Sequence, residues 1–299
     1  MAYTEKRAYL ELHLAVFLWG FTAILGDLIQ LSALTLVWWR VFLTSLSLVF
    51  FVRIGKMIRE VGLQRFLLLA GIGIIVGLHW VTFYGAIKLA NASIALVCMA
   101  TTSLFSSLLE PLIVRRPFVW YELLLGIFIL PGIWLIVDGV DASMNIGIAV
   151  GLLSAALVST FTSLNKKYIT SSNPARITFI ELGAATLFLT PFLYFLGGDK
   201  FWPSPTDWMY LLVLVLLCTT LTFFLSLRAL TKLSAFASNL TVNLEPVYGI
   251  FLAFFLLDDA EELGPNFYWG TLLILVAVFG YSAGTRVLRQ RKLTATTGR

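Results

Sequence analysis

Glu245 is a carboxylic acid placed midway along the apolar run 233–257, and Pro246 follows it directly. An ionisable group in hydrocarbon is costly, so its position calls for a reason. Desolvated in that position, such a carboxyl is a candidate proton carrier. The plainer alternative is a structural carboxyl bonded to a neighbouring hydroxyl or indole. Pro246 has no N–H to give the carbonyl of Val242 and pushes against it, which predicts a kink beside the acid. Ser238, Thr241, Glu245 and Tyr248–Gly249 recur at helical spacing. They are expected on one face, lining a cavity. Asn239 and Asn243, one turn apart, add a second polar stripe that suits either substrate binding or interhelical hydrogen bonds.

Other polar groups stand inside apolar runs. His79 is central in its run and reads either as a coupling group or, more commonly, as a buried imidazole with one or two hydrogen bonds. Trp19, Trp80, Phe83 and Tyr84 either wall a cavity for an organic substrate or simply pack. Arg40, in the outer third of its run, is expected to snorkel outward or to form a local ion pair; an anionic substrate is its other use. Glu181 lies in the inner third of another run, at a depth that argues against a direct bond to Arg40. Glu110 is expected to pair with Arg115 or Arg116, and Pro111 to kink the helix there. Gly73 and Gly77 form a small-residue pair that lets two helices approach closely.

The chemistry of membrane-embedded enzymes is missing. A metalloprotease needs His-Glu-x-x-His, and the two histidines, His13 and His79, fall on different runs. No phosphate-binding glycine loop ending in Lys-Ser/Thr occurs, so ATP is not the expected energy source. Cys98 and Cys218 both lie in apolar segments and read as packing residues rather than a disulfide. No enzyme, no cofactor and no metal are therefore expected.

The elements that must position these groups follow from composition. Of 299 residues, 59% are hydrophobic and 12% charged, and the mean hydropathy is +0.91. A soluble domain carries about 25% charged residues. Ten apolar runs lie at about 10–29, 34–52, 66–87, 90–114, 119–137, 146–165, 177–196, 208–227, 233–257 and 267–285. Each is near the length of a transmembrane helix, the one open structure that satisfies its own backbone in lipid. An outer-membrane barrel would show shorter alternating segments. The gaps before and after these runs hold nearly all their basic residues on one side; the opposite side holds only Lys88 and Lys200, and Arg40 lies within a run. Lys6, Arg7, Arg53, Lys56, Arg59, Arg65, Arg115, Arg116, Lys166, Lys167, Arg176, Arg228, Lys232 and five more after residue 285 make eighteen of the 21 Lys and Arg. Both termini are therefore expected in the cytoplasm of a cell inner (plasma) membrane. The net charge of +5 is spread over these gaps, which does not suit nucleic acid. The basic tail 288–299 is placed to meet anionic membrane lipids.

The chain also resembles itself at a spacing near 140. Phe21-Thr22 matches Phe161-Thr162, Arg40 matches Glu181, Ala86-Ile87-Lys88-Leu89 matches Ala229-Leu230-Thr231-Lys232, and Gly126 matches Gly270. Each half holds five runs, an odd number, so the halves must enter the membrane oppositely. The expected fold is an all-α integral membrane protein of ten helices in two inverted repeats, 1–140 and 141–287. This plan is typical of secondary transporters, with the substrate between the repeats.

Leu18-Trp19-Gly20-Phe21-Thr22, Glu245-Pro246-Val247-Tyr248-Gly249 and Gly270-Thr271-Leu272-Leu273-Ile274-Leu275 resemble motifs of the drug/metabolite transporter superfamily, in its EamA-type branch. The resemblance covers nearly the whole chain. Two usual Gly-Glu-Arg turns are replaced by Val114-Arg115-Arg116 and Asp258-Asp259, and Thr102-Ser103 stands where the second half has Glu245-Pro246. The resemblance implies transport of a small organic metabolite, an amino acid, amine or related compound, with export as the expected direction. Through the motif and the repeat, Thr22 and Thr102 join Trp19, His79, Tyr84, Asn239, Thr241, Asn243, Glu245 and Tyr248 as candidates for binding substrate or a proton. The alternatives are an uncoupled facilitator and a membrane scaffold or receptor without transport.

Overall fold

The computed structural model describes residues 3–168, 174–196, 200–233, 241–242, 244–256, 264–276 and 279. Asn239 and Asn243 lie outside the described residues. Among these residues the fold is all helix, with no strand. The helices are α1 (Glu5–Leu28), α2 (Ala33–Leu48), α3 (Ile54–Val61), α4 (Leu63–Leu89), α5 (Ala92–Met99), α6 (Thr102–Val114), α7 (Trp120–Ile127) and α8 (Leu130–Asp138). The second half continues with α9 (Asn145–Tyr168), α10 (Pro174–Leu196), α11 (Pro205–Val215), α12 (Thr222–Leu230) and α13 (Glu245–Leu256), then α14 (Pro265–Val276). Every apolar run carries helix. Six stretches are long and apolar enough to cross a bilayer by themselves, and α2 and α14 are shorter apolar helices.

Local chemistry sets the ends. Ser32, Asn91 and Ser204 each cap a helix start by accepting a backbone N–H. Gly62, at φ 67°, joins the short amphipathic α3 to α4 in a conformation that favours glycine. Pro111 sits inside α6, which runs on to Val114. The expected pair of Glu110 and Arg116 is present at 3.5 Å.

The two halves pack by a rule that survives their exchange. α4 lies along α9, and the matching pair is α12 along α1. α6 packs on α9, as the helix starting at Glu245 packs on α1. The matching helices α2 and α10 also meet, and α5 packs on the helix starting at Glu245. Lipid gives no hydrophobic reward for joining helices, so close approach and dispersion do that work. Small residues supply it. A Cβ on Gly73 would strike the backbone of Glu181 in α10, and one on Gly77 would sit 3.1 Å from Ala185 Cβ. Gly20 of α1 likewise faces Tyr248 and Gly249 of α13.

Gly71 and Gly73 lie two residues apart on α4, yet a Cβ on Gly71 meets nothing within 4 Å. Gly73→Ala is therefore expected to destabilise the folded protein by about 1–3 kcal/mol through overpacking. Gly71→Ala should leave it unchanged. Thermal unfolding in detergent checks both; equal melting temperatures for the two variants would contradict the tight α4–α10 crossing.

Candidate functional site: a cavity between the halves

Two helical stretches are interrupted at matching points. α5 ends at Met99, Ala100 and Thr101 form a turn, and α6 starts at Thr102. In the second half Thr241 and Val242 are helical, Leu244 lies in a turn, and α13 starts at Glu245. Pro246 therefore does not kink a continuous helix as expected; it sits in a first turn, where its missing N–H is no loss. Thr102 and Glu245 each open a helical segment, and both line one cavity. A third irregularity lies between α11 and α12, where Leu216–Leu221 winds as a π-helix. There Thr219 Oγ1 donates to the carbonyl of Leu214, five residues back, at 2.7 Å. Such bulges shift side chains around the helix and are frequent at functional sites.

The cavity has a volume of about 140 Å³. That is close to the roughly 150 Å³ that holds a single benzene ring, so it has room for a small molecule. Trp19, Trp80, Phe83, Phe161 and Phe223 supply aromatic walls. Thr22 and its repeat match Thr162 supply hydroxyls, Asn165 and Ser226 add polar groups, and Arg40 and Glu245 bring opposite charges.

Arg40 overturns the sequence expectation. It does not snorkel, being 2% exposed. Its Nε donates to Thr219 Oγ1 and its Nη1 to Tyr84 Oη, each at 2.8 Å. The guanidinium lies 3.8 Å from the centre of the Trp80 ring. Burying an ion costs several kcal/mol. Two charge-assisted hydrogen bonds of roughly 1.5–3 kcal/mol each and a desolvated cation–π contact of about 2 kcal/mol offset a penalty of that size. The Arg40 side chain also lines the cavity. The pull toward the interface loses because a complete cradle waits inside. The sequence offers Trp80 as a cavity wall and Arg40, as the less favoured alternative, as a partner for an anionic substrate; it does not single out Thr219, which holds Arg40.

Residues 6–138 and again residues 145–283 match the EamA-like transporter family. The chain belongs to this family. A solved structure described only as a crystal structure of a protein shares the fold, with a TM-score of 0.67 over 96% of this chain and 99% of that one, at 13% identity. No curated protein matches the sequence. As an EamA-like transporter, the chain is a multi-pass membrane protein of a kind that moves small molecules.

Of the residues singled out in this EamA-like chain, Trp19, Thr22, His79, Thr102 and Glu245 meet at the cavity. Tyr84, Thr241 and Tyr248 do not line it. Tyr84 is fully buried behind it and accepts from Arg40. Thr241 is buried in the wall. Tyr248 packs against Phe17 at 5.6 Å and over Gly20, because that glycine lets α13 come too close to α1 for a pocket. Trp19 is oriented by its indole N–H, which donates to Thr222 Oγ1 at 2.9 Å.

His79 is tied to Ser154 of α9. Ser154 Oγ donates to the His79 carbonyl at 3.0 Å, and Nδ1 lies 2.8 Å from that Oγ and 3.1 Å from the Ser154 carbonyl. With the hydroxyl proton used on the carbonyl, Nδ1 carries the ring proton and donates. Nε2 is left as an acceptor, and the His79 side chain lines the cavity. The imidazole is therefore held rigidly, as a buried histidine with hydrogen bonds. Ser154→Ala is expected to lower stability by about 1 kcal/mol, read as a drop in melting temperature in detergent. Thr82→Val, which loses only bonds within its own helix to Leu78 and His79 carbonyls, should change it far less. A Ser154→Ala protein as stable as wild type would remove the tether from the argument.

Proposed function

We infer that this chain is a secondary transporter of a small zwitterionic metabolite, of amino-acid or amine type, working as an exporter by alternating access. The observation that carries the reading is one small cavity lined by a guanidinium, a carboxyl and aromatic rings. Arg40 suits a carboxylate, since a guanidinium presents paired donors in a fixed plane. Glu245 suits an ammonium group. Trp19, Trp80 and Phe223 suit the apolar body of the ligand. A single carboxyl that holds either a proton or the substrate's ammonium, but not both, couples the two fluxes in opposite directions. Glu245 is our candidate for that exchange.

The membrane arrangement that serves this function has ten crossings in halves 1–140 and 141–287, with the basic tail 288–299. Both termini lie on the cytoplasmic side of the inner (plasma) membrane. The basic gaps support that orientation, and the exchangeable packing of the halves supports two access states. No phosphate-binding loop is present in the sequence, which favours an ion gradient over ATP.

The test compares metabolites in medium and cytoplasm of cells expressing wild type, Glu245→Gln or Arg40→Lys at equal membrane levels. Wild type is expected to enrich one class of amino compound outside. Both variants should lose at least tenfold of that enrichment, and any activity left in Glu245→Gln should no longer vary with pH. No redistribution by wild type of any amino compound, including a supplied panel, would favour a receptor or scaffold instead. A Glu245→Gln protein with the wild-type pH dependence would remove that residue from coupling.

A further inference from the structure

Glu181 lies about a third of the way along the second-half helix α10 and is fully buried. Its backbone presses on Gly73 of α4, and its neighbours Ile177 and Ile180 belong to an apolar cluster with Ile72 and Leu227. Neither carboxyl oxygen has a hydrogen-bond partner of good geometry among the described residues. Asn165 of α9 is the polar side chain beside it, and Asn165 Oδ1 is also buried without a donor. Asn165 in turn lines the cavity. These three buried oxygens have no bond of good geometry, an arrangement native interiors avoid, and the Asn165 amide N–H2 is the donor beside them. A proton on Glu181 adds an O–H that Asn165 Oδ1 can accept.

The charged and titratable groups on the surrounding helices are engaged elsewhere. On α2, Arg40 bonds Thr219 and Tyr84. On α4, His79 bonds Ser154, Tyr84 accepts from Arg40, Lys88 bonds the carbonyls of Asp27 and Ile29, and Arg65 has its own contact at the far end. On α12, Arg228 pairs with Glu11, and Arg176 of α10 itself pairs with Glu60. Lys166 and Lys167 end α9, the latter over the Tyr168 ring. Burial and Asn165 are the influences that act on Glu181.

We propose that Glu181 is a second proton-binding site of the transport cycle, exchanging its proton with the cavity past Asn165. The proposal rests on the alternating-access reading given above. Glu181 is the repeat match of Arg40, which faces the cavity here. When two repeats exchange conformations between access states, Glu181 takes the cavity-facing place and Arg40 the withdrawn one. In one state a hydronium ion in the cavity gives its proton to the carboxylate, so a hydronium O–H bond breaks as the carboxyl O–H bond forms. In the other state the carboxyl O–H bond breaks and the proton returns to water as hydronium.

The experiment is infrared difference spectroscopy of the full chain in phosphatidylethanolamine–phosphatidylglycerol vesicles. Wild type is expected to show a carboxylic-acid carbonyl band at neutral pH that is absent in Glu181→Gln and retained in Glu245→Gln. Transfer into heavy water should shift this band, and Asn165→Leu should slow that shift at least tenfold. A Glu181→Gln spectrum identical to wild type overturns the site, whatever the protein transports. A band that is present but exchanges equally fast in Asn165→Leu overturns the route. The cycle is tested by the export assay in cells, where Glu181→Gln should alter the pH dependence of efflux. An unaltered profile, beside wild-type efflux that proves transport, overturns the role while leaving the transporter reading intact. Glu181→Asp, which keeps the acid, is expected to restore both the band and the pH dependence.

Discussion

Arg40 is an ion held inside a bundle whose outer surface meets lipid, and much of the cavity is arranged around keeping it there. Hydrocarbon offers no hydrogen-bond partner, so the guanidinium is stable inside only if the protein supplies what water would. Trp80 gives it a ring face, Tyr84 an oxygen from the same helix, and Thr219 an oxygen from the π-wound segment. Each of these is itself fixed. Tyr84 fills the space that Gly26 leaves open, and Thr219 is anchored to the carbonyl of Leu214. Arg40 and Glu245 both line the same small aromatic chamber, so the constraint that stabilises the ion also places it beside the cavity.

The chamber exists because matching helices are broken at matching places. Thr102 and Glu245 open their segments where the preceding turn ends, and irregular backbone inside a membrane is tolerated only where protein or a cavity covers it. Around these breaks the helices meet through small residues. Gly73 against Glu181 and Gly20 against Tyr248–Gly249 draw the walls in. The repeat therefore does two jobs with one design. It builds a closed wall from both halves, and it places Arg40 and Glu181, residues of opposite charge, at equivalent points.

The helical class, the apolar runs and the two-repeat plan were legible because lipid imposes length and composition on every crossing. The site was legible in part. Glu245, Trp19, Thr22, His79 and Thr102 stood out as polar or aromatic groups in apolar runs, and they converge on the cavity. Tyr248 and Thr241 share the helical spacing of Glu245 but not its surroundings, because periodicity reports a face and not what covers it. Arg40 was read as a snorkelling residue because its depth alone favours that outcome. Its cradle comes from α4 and from the segment between α11 and α12, far away in sequence.

By itself, then, the sequence determined that the chain is a bundle of membrane helices in two related halves, with rare ionisable groups inside. Transfer energies act on each segment alone, so composition is enough to decide that much. Which ionisable groups meet, which face the cavity and which are sealed behind it was decided only by the tertiary structure. Those outcomes depend on helix crossings set by single glycines, on a π-turn with no sequence mark, and on hydrogen bonds between residues as distant as Arg40 and Thr219. Such contacts are properties of pairs of segments, and no single segment carries them.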